Sequence, residues 1–135
     1  MKAELDYIEN FDSVYPGITL WYKSKVIDNQ DKKLWIAKHN CSIAGLAIID
    51  LSQAKLCHFS IGAQYRFTDY KTPIKDYLYK CAIQEFKSEG ILEIFAHGTE
   101  SIVNQFIKSF KGWEMYQDIG NFGRGEKDVI IKNKI

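Results

Sequence analysis

The residues best suited to chemistry lie between Lys55 and Pro73. The alternating apolar run Lys55-Leu56-Cys57-His58-Phe59-Ser60-Ile61 predicts a strand, and Gly62 to Lys71 a polar turn. Thr72-Pro73 then predicts the start of an amphipathic helix, with threonine as N-cap and proline at the first helical position. A strand-to-helix junction of this kind gathers backbone N–H groups and the positive end of a helix dipole, which is the chemistry that holds a phosphate. Within the strand, His58 is a candidate general base, because an ordinary imidazole pKa of about 6.5 suits proton transfer near neutral pH. Regular alternation puts it on the face of Leu56 and Ser60, where the plainer role of a packed polar histidine also stays open. Cys57 invites a thiol nucleophile, but adjacent strand side chains point to opposite faces, so Cys57 and His58 form no dyad. His39, His58 and His97 share no ligand spacing, and no metal site is expected. His97 follows a buried run at the end where α/β folds place ligands, so it either lines a pocket or faces solvent. Phe122 to Lys127 interleaves an aromatic with glycine and basic residues, as a nucleic-acid reader would, although a hairpin loop explains it equally simply.

These groups need a scaffold, and 135 residues with 46% apolar content suffice for one core, read as a single domain over 1–135. Eighteen basic against seventeen acidic residues leave no electrostatic footprint for nucleic acid or a membrane surface. The first residues hold no signal-peptide core and no run is long enough to span a bilayer, so a cytoplasmic protein is expected. Three scattered cysteines, Cys41, Cys57 and Cys81, argue against a disulfide framework. Ala3 to Ile8 is a weak strand candidate, and Ile18, Trp21, Tyr22 and Val26 predict a helix over 16–27. Leu34–Ala37 and Ile43–Ile49 read as a hairpin, followed by the strand from Lys55 in an antiparallel meander. Ile74, Tyr77, Leu78, Cys81, Ala82 and Phe86 form a helical stripe stopped at Glu89-Gly90. A buried strand over Ile91–Ala96, a second helix through Ile102, Val103, Phe106, Ile107 and Phe110, and strands at Met115–Ile119 and Asp128–Lys132 complete the order. The fold class is therefore α/β (α+β): a mixed, mostly antiparallel sheet of about six to seven strands flanked by three to four helices.

In this order of elements the chain resembles the GNAT-type N-acetyltransferases, over residues 3 to 132. The local carriers are Ile43-Ala44-Gly45-Leu46-Ala47-Ile48-Ile49, similar to the family's third strand, and Tyr65-Arg66 ahead of the pyrophosphate turn. Asn104 to Trp113, ending Phe110-Lys111-Gly112-Trp113, is similar to the late helix and the step after it. The resemblance implies acetyl-CoA as cofactor, held by Ser60, Ile61, Arg66, Phe67, Thr68, Asp69, Tyr70, Lys71, Thr72 and Asn104. It also implies direct acetyl transfer to an amine, borne by a small molecule or a protein. The family's loop follows Q/R-x-x-G-x-G/A, and here the glycines are replaced: by Asp69 and Lys71 if Arg66 leads, by Phe67 and Asp69 if Gln64 does. Side chains there crowd a diphosphate, and Asp69 repels it, while Arg66 and Lys71 offset that in part. The family's strand glutamate is missing as well, which leaves His58 as base and Tyr116 as acid. A second reading follows, in which the fold is a binding or interaction module that no longer uses acetyl-CoA. Tyr65, Phe67 and Tyr70 then serve as a contact surface, whereas under the first reading such aromatics form an acceptor pocket or a homodimer interface.

Overall fold

The computed structural model describes residues 31–39, 42–121 and 125–135. The strand expected at 3–8 and the helix at 16–27 lie outside them. The described elements are β1 (Lys32–His39), β2 (Ser42–Asp50), β3 (Lys55–Ile61), a 3-10 turn (Ala63–Tyr65), α1 (Lys71–Ser88), β4 (Glu93–Thr99), α2 (Glu100–Ser109), β5 (Glu114–Asn121) and β6 (Lys127–Lys134). They form one six-stranded mixed sheet in the order β1-β2-β3-β4-β6-β5. Only β3 and β4, joined through α1, run parallel.

Helix α1 buries Leu78, Cys81, Ala82 and Phe86 of the stripe that its spacing predicts, while Ile74 is half-buried and Tyr77, 43% exposed, turns to solvent. It ends where Gly90 takes φ +76° and the Gly90 and Ile91 N–H groups return to the Lys87 and Phe86 carbonyls at 3.0 Å each. Its start differs from expectation. Thr72 lies inside the first turn and caps nothing; Tyr70 precedes the helix in an already helical conformation, with no side-chain cap. Just ahead of the helix, Thr68 Oγ1 donates to the Tyr65 carbonyl at 2.9 Å and accepts from the Tyr70 N–H at 3.3 Å, bracing the turn. The chain thus coils into α1 from the 3-10 turn, and no threonine does the work expected of Thr72.

Both helices cover one face of the sheet. Ala82 and Phe86 of α1 and Val103 of α2 share a core with Ile49, Leu56, Ile94, Ala96, Val129 and Ile131. Fully burying the valine, leucine, isoleucine and phenylalanine side chains among them contributes roughly 1.5–3 kcal/mol each. Phe110 lies past the end of α2 in an extended conformation, stacked on Tyr79 at 3.8 Å. The Tyr79 hydroxyl accepts from Trp113 Nε1 at 2.9 Å and from Asn133 Nδ2 at 3.4 Å. On the other face, Leu34, Ile36, Leu46 and Ile48 are buried toward the β1 edge, while Tyr116 near the β5 edge is exposed. No described helix is long and apolar enough to cross a membrane.

Candidate active site

Strands β3 and β4 are paired at only two positions, Lys55 with Phe95 and Leu56 with Ala96. The Phe95 N–H also donates to the carbonyl of Ala54 at 2.8 Å, which ties the strands at this one end. Beyond it they part, leaving a slot of about 100 Å³ bounded by Cys57, His58 and Phe59 of β3, Ala96 and His97 of β4, and Phe106 of α2. A β-bulge sits at the same place: Ile48 pairs with His58 and Ile49 with Leu56, so Cys57 has no partner in β2. The bulge corrects the alternation expected for this strand. Leu56 and Phe59, three residues apart, both pack under the helices, whereas His58 turns the other way and its Nε2 lies 3.2 Å from Ser60 Oγ. Burial lowers the His58 pKa, which keeps the ring neutral, and burial raises that of the Cys57 thiol against the pull of Lys32 and Lys55.

On the face away from the helices a second hollow, of about 250 Å³, adjoins the slot and shares Ala96 and His97 with it. Lys55, Phe95, His97, Tyr116 and Ile130 form its walls. Alternation along β4 puts Phe95 and His97 on this side and Ile94 and Ala96 in the core. Tyr116 is 54% exposed and meets Phe95 edge to face at 5.4 Å, with Lys132 Nζ 5.2 Å from its ring centre. The two residues expected as base and acid therefore line different cavities, His58 the slot and Tyr116 the hollow, with His97 common to both.

The turn after β3 is built on internal hydrogen bonds. The Gly62 N–H donates to Ala44, Tyr65 to Gly62, Thr68 to Tyr65, Lys71 to Thr68 and Ile74 to Tyr70, and Pro73 has no N–H to give. Arg66 Nε donates to the Ile61 carbonyl at 3.0 Å, folding the guanidinium back on the end of β3. Phe67 is 98% exposed, Tyr70 is 50% exposed with its ring edge on Tyr65 at 6.4 Å, and Asp69, Lys71 and Thr72 face solvent. Asn104 is exposed on α2. The N-terminus of α2 is occupied: Glu126 accepts from the Ser101 hydroxyl at 2.7 Å and from its N–H at 3.3 Å. Among the described residues, no three His, Cys, Asp or Glu side chains converge as a metal site would require.

Sequence reasoning reached the turn and left His97 between pocket and solvent, but missed Lys55 and Phe95. Their pairing depends on the register of two strands forty residues apart, which local spacing does not reveal.

No protein-family model matches the chain, and no curated protein is similar to it in sequence. Solved structures are similar in fold. The ribosomal-protein-S18-alanine N-acetyltransferase from Escherichia coli superposes with a TM-score of 0.76 at 10% identity, over 100% of this chain and 92% of that one. The PaiA N-acetyltransferase from Thermoplasma acidophilum, in complex with coenzyme A, gives 0.69 at 18% identity, over 100% and 97%. A protein from Desulfovibrio desulfuricans assigned to the GNAT family of acetyltransferases gives 0.75 at 11% identity, over 96% and 91%. The fold is that of the GNAT-type N-acetyltransferases.

Proposed function

We propose that the chain is an acyl-CoA-dependent N-acetyltransferase that passes an acetyl group directly to an amine. The observation that carries this reading is the parting of β3 and β4 after two paired residues, which opens an apolar slot with imidazoles on its rim. One structural neighbour is a coenzyme A complex, which supports acetyl-CoA as the donor. The slot fits an extended thiol arm, with Ser60 and Ile61 at the strand end beside it. Arg66 to Thr72 fits the diphosphate, and Asn104 offers a polar contact from α2. Acetyl-CoA supplies an activated acyl group, so the protein's task is to orient an amine and take its proton. His97 is better placed for this than His58, because it stands exposed on the rim of both cavities. The His58 ring is half-buried and faces Ser60, a positioning role. Tyr116, in the same hollow as His97, is the acid.

A second reading, a degenerate module that no longer uses acetyl-CoA, is favoured by one observation: the turn commits the Tyr65, Thr68, Tyr70 and Lys71 N–H groups and Arg66 Nε to its own structure while presenting Phe67 to solvent. Calorimetric titration with acetyl-CoA and with free CoA at low salt separates the two. Micromolar binding that Arg66→Glu abolishes supports the transferase, and no binding at millimolar cofactor overturns it in favour of the module.

A further inference from the structure

We propose that the hollow beside the slot takes an amine that also carries a carboxylate and an apolar ring, an aromatic amino acid being the simplest member of the class. The inference rests on the transferase reading for the reacting amine and adds the acceptor's chemistry.

Size comes first. At about 250 Å³ the hollow lies just below the roughly 300–1,000 Å³ of pockets for drug-sized ligands, so it suits one amino acid rather than a nucleotide or an oligosaccharide. Its walls are apolar where a ring would lie: Phe95 and Tyr116 meet at an interplanar angle of 61°, with Ile130 beside them. Its charge is one-sided. Lys55 is half-buried on the wall and forms no ion pair among the described residues. The carboxylate nearest in register, Asp50, is engaged elsewhere: it accepts from the Ser52 hydroxyl at 2.7 Å and the Gln53 N–H at 3.0 Å, and Lys32 stands 4.0 Å from it. Lys132, which overlies Tyr116, is matched by Glu114 at 3.8 Å. No Asp or Glu lines the hollow among the described residues. A cation against an apolar wall attracts a carboxylate and repels a second ammonium. Lys55 pairs with Phe95, and His97 stands two residues further along β4. At ~3.3 Å per residue and ~4.8 Å between strands, this places the Cα atoms of Lys55 and His97 roughly 8 Å apart, a span that the two side chains and one amino acid with a hydrogen bond at each end cover.

The test is binding of three probes to the full chain, with and without CoA, followed by NMR shifts and calorimetry. The probes are L-phenylalanine, phenethylamine, which lacks the carboxylate, and spermidine, which lacks ring and carboxylate and adds cations. L-Phenylalanine is expected to bind about fivefold tighter than phenethylamine, the upper range for one partly exposed ion pair. Spermidine is expected to bind weakest. Lys55→Gln is expected to erase the preference for L-phenylalanine while leaving the melting temperature within a few degrees. Spermidine binding as well as L-phenylalanine, or a preference unchanged in Lys55→Gln, overturns the proposal. A separate acetyl-CoA titration tells the two ideas apart. Cofactor binding without amino-acid preference sinks only the acceptor class, whereas amino-acid binding without cofactor binding sinks only the transferase.

Discussion

Substituting Gly45 by alanine tests how the end of β3, and with it the slot and the turn, is held in place. A Cβ at this position meets the Ser60 carbonyl oxygen at 2.8 Å, Leu78 Cδ1 at 2.9 Å and Ile61 Cδ1 at 3.2 Å. Two of these atoms are side-chain ends that can shift. The first is backbone, fixed by the pairing of Gly45 with Ile61 and Leu46 with Ser60. Relief of the backbone contact therefore requires β3 to move away from β2, while side-chain shifts relieve the contacts with Leu78 and Ile61. Overpacking of this kind costs typically 1–3 kcal/mol, and we take about 2 kcal/mol. For a chain of this length that lowers the Tm by roughly 5–10 °C. Gly98→Ala is the control, because its Cβ meets only Val103 Cγ1 at 3.5 Å and Ile102 Cγ2 at 3.8 Å, ordinary contact distances. Reduced freedom of the unfolded chain then makes it neutral or stabilising by up to ~1 kcal/mol. Thermal and urea unfolding of both variants beside the parent read the difference directly. A Gly45→Ala variant melting within about 1 °C of the parent, or no lower than Gly98→Ala, refutes the idea that close approach at Gly45 seats β3.

Two further expectations concern buried polar groups. The His58 pKa is lowered by burial, so the unfolded chain binds more protons than the folded one just below pH 6.5. Stability is therefore full above that value and falls as the pH drops through the folded pKa; denaturant titrations from pH 7.5 to 5 should show this slope in the parent and a shallower one in His58→Gln. Tyr79→Phe leaves the Trp113 indole and the Asn133 amide short of a shared acceptor, at a cost of about 1–3 kcal/mol in urea unfolding. Unchanged stability would mean that water replaces the hydroxyl.

Much of the architecture was legible because its signals are local. The stripe ending at Phe86 and the stop at Gly90 need only helical spacing and one left-handed residue; the stop stands as read, and so does the stripe from Leu78 on, while Tyr77 at its start is exposed. The bulge at Cys57 was not legible, since it arises from a mismatch between β2 and β3 that neither strand carries alone. It reversed the face assigned to Leu56 relative to His58. The expectation of Thr72 as the cap fails for a related reason: a Thr-Pro pair satisfies the local rule, but the 3-10 turn upstream starts the coil earlier and the helix begins at Lys71 with no side-chain cap. The candidate site suffered most, because Lys55, Phe95, His97 and Tyr116 converge only through the register of four strands, β3, β4, β6 and β5.

The turn's own hydrogen bonds set what cofactor affinity to expect. A glycine-lined loop meets a diphosphate with backbone N–H groups already aimed at it. Here Arg66 would first leave the Ile61 carbonyl, a hydrogen bond from a charged donor worth roughly 1.5–3 kcal/mol, and regain that energy only in so far as it then engages the diphosphate. Asp69, exposed two residues before the helix, adds a repulsion of about 1 kcal/mol in water. Each 1.4 kcal/mol is tenfold in affinity, so a site that would be micromolar with glycines moves into the tens to hundreds of micromolar with this turn. Asp69→Gly should then tighten acetyl-CoA binding by about fivefold, and more at low salt than at high, because the lost repulsion is screened by ions. A tightening independent of salt would place the gain in backbone geometry instead of charge. No tightening at all would mean that the diphosphate does not approach this turn.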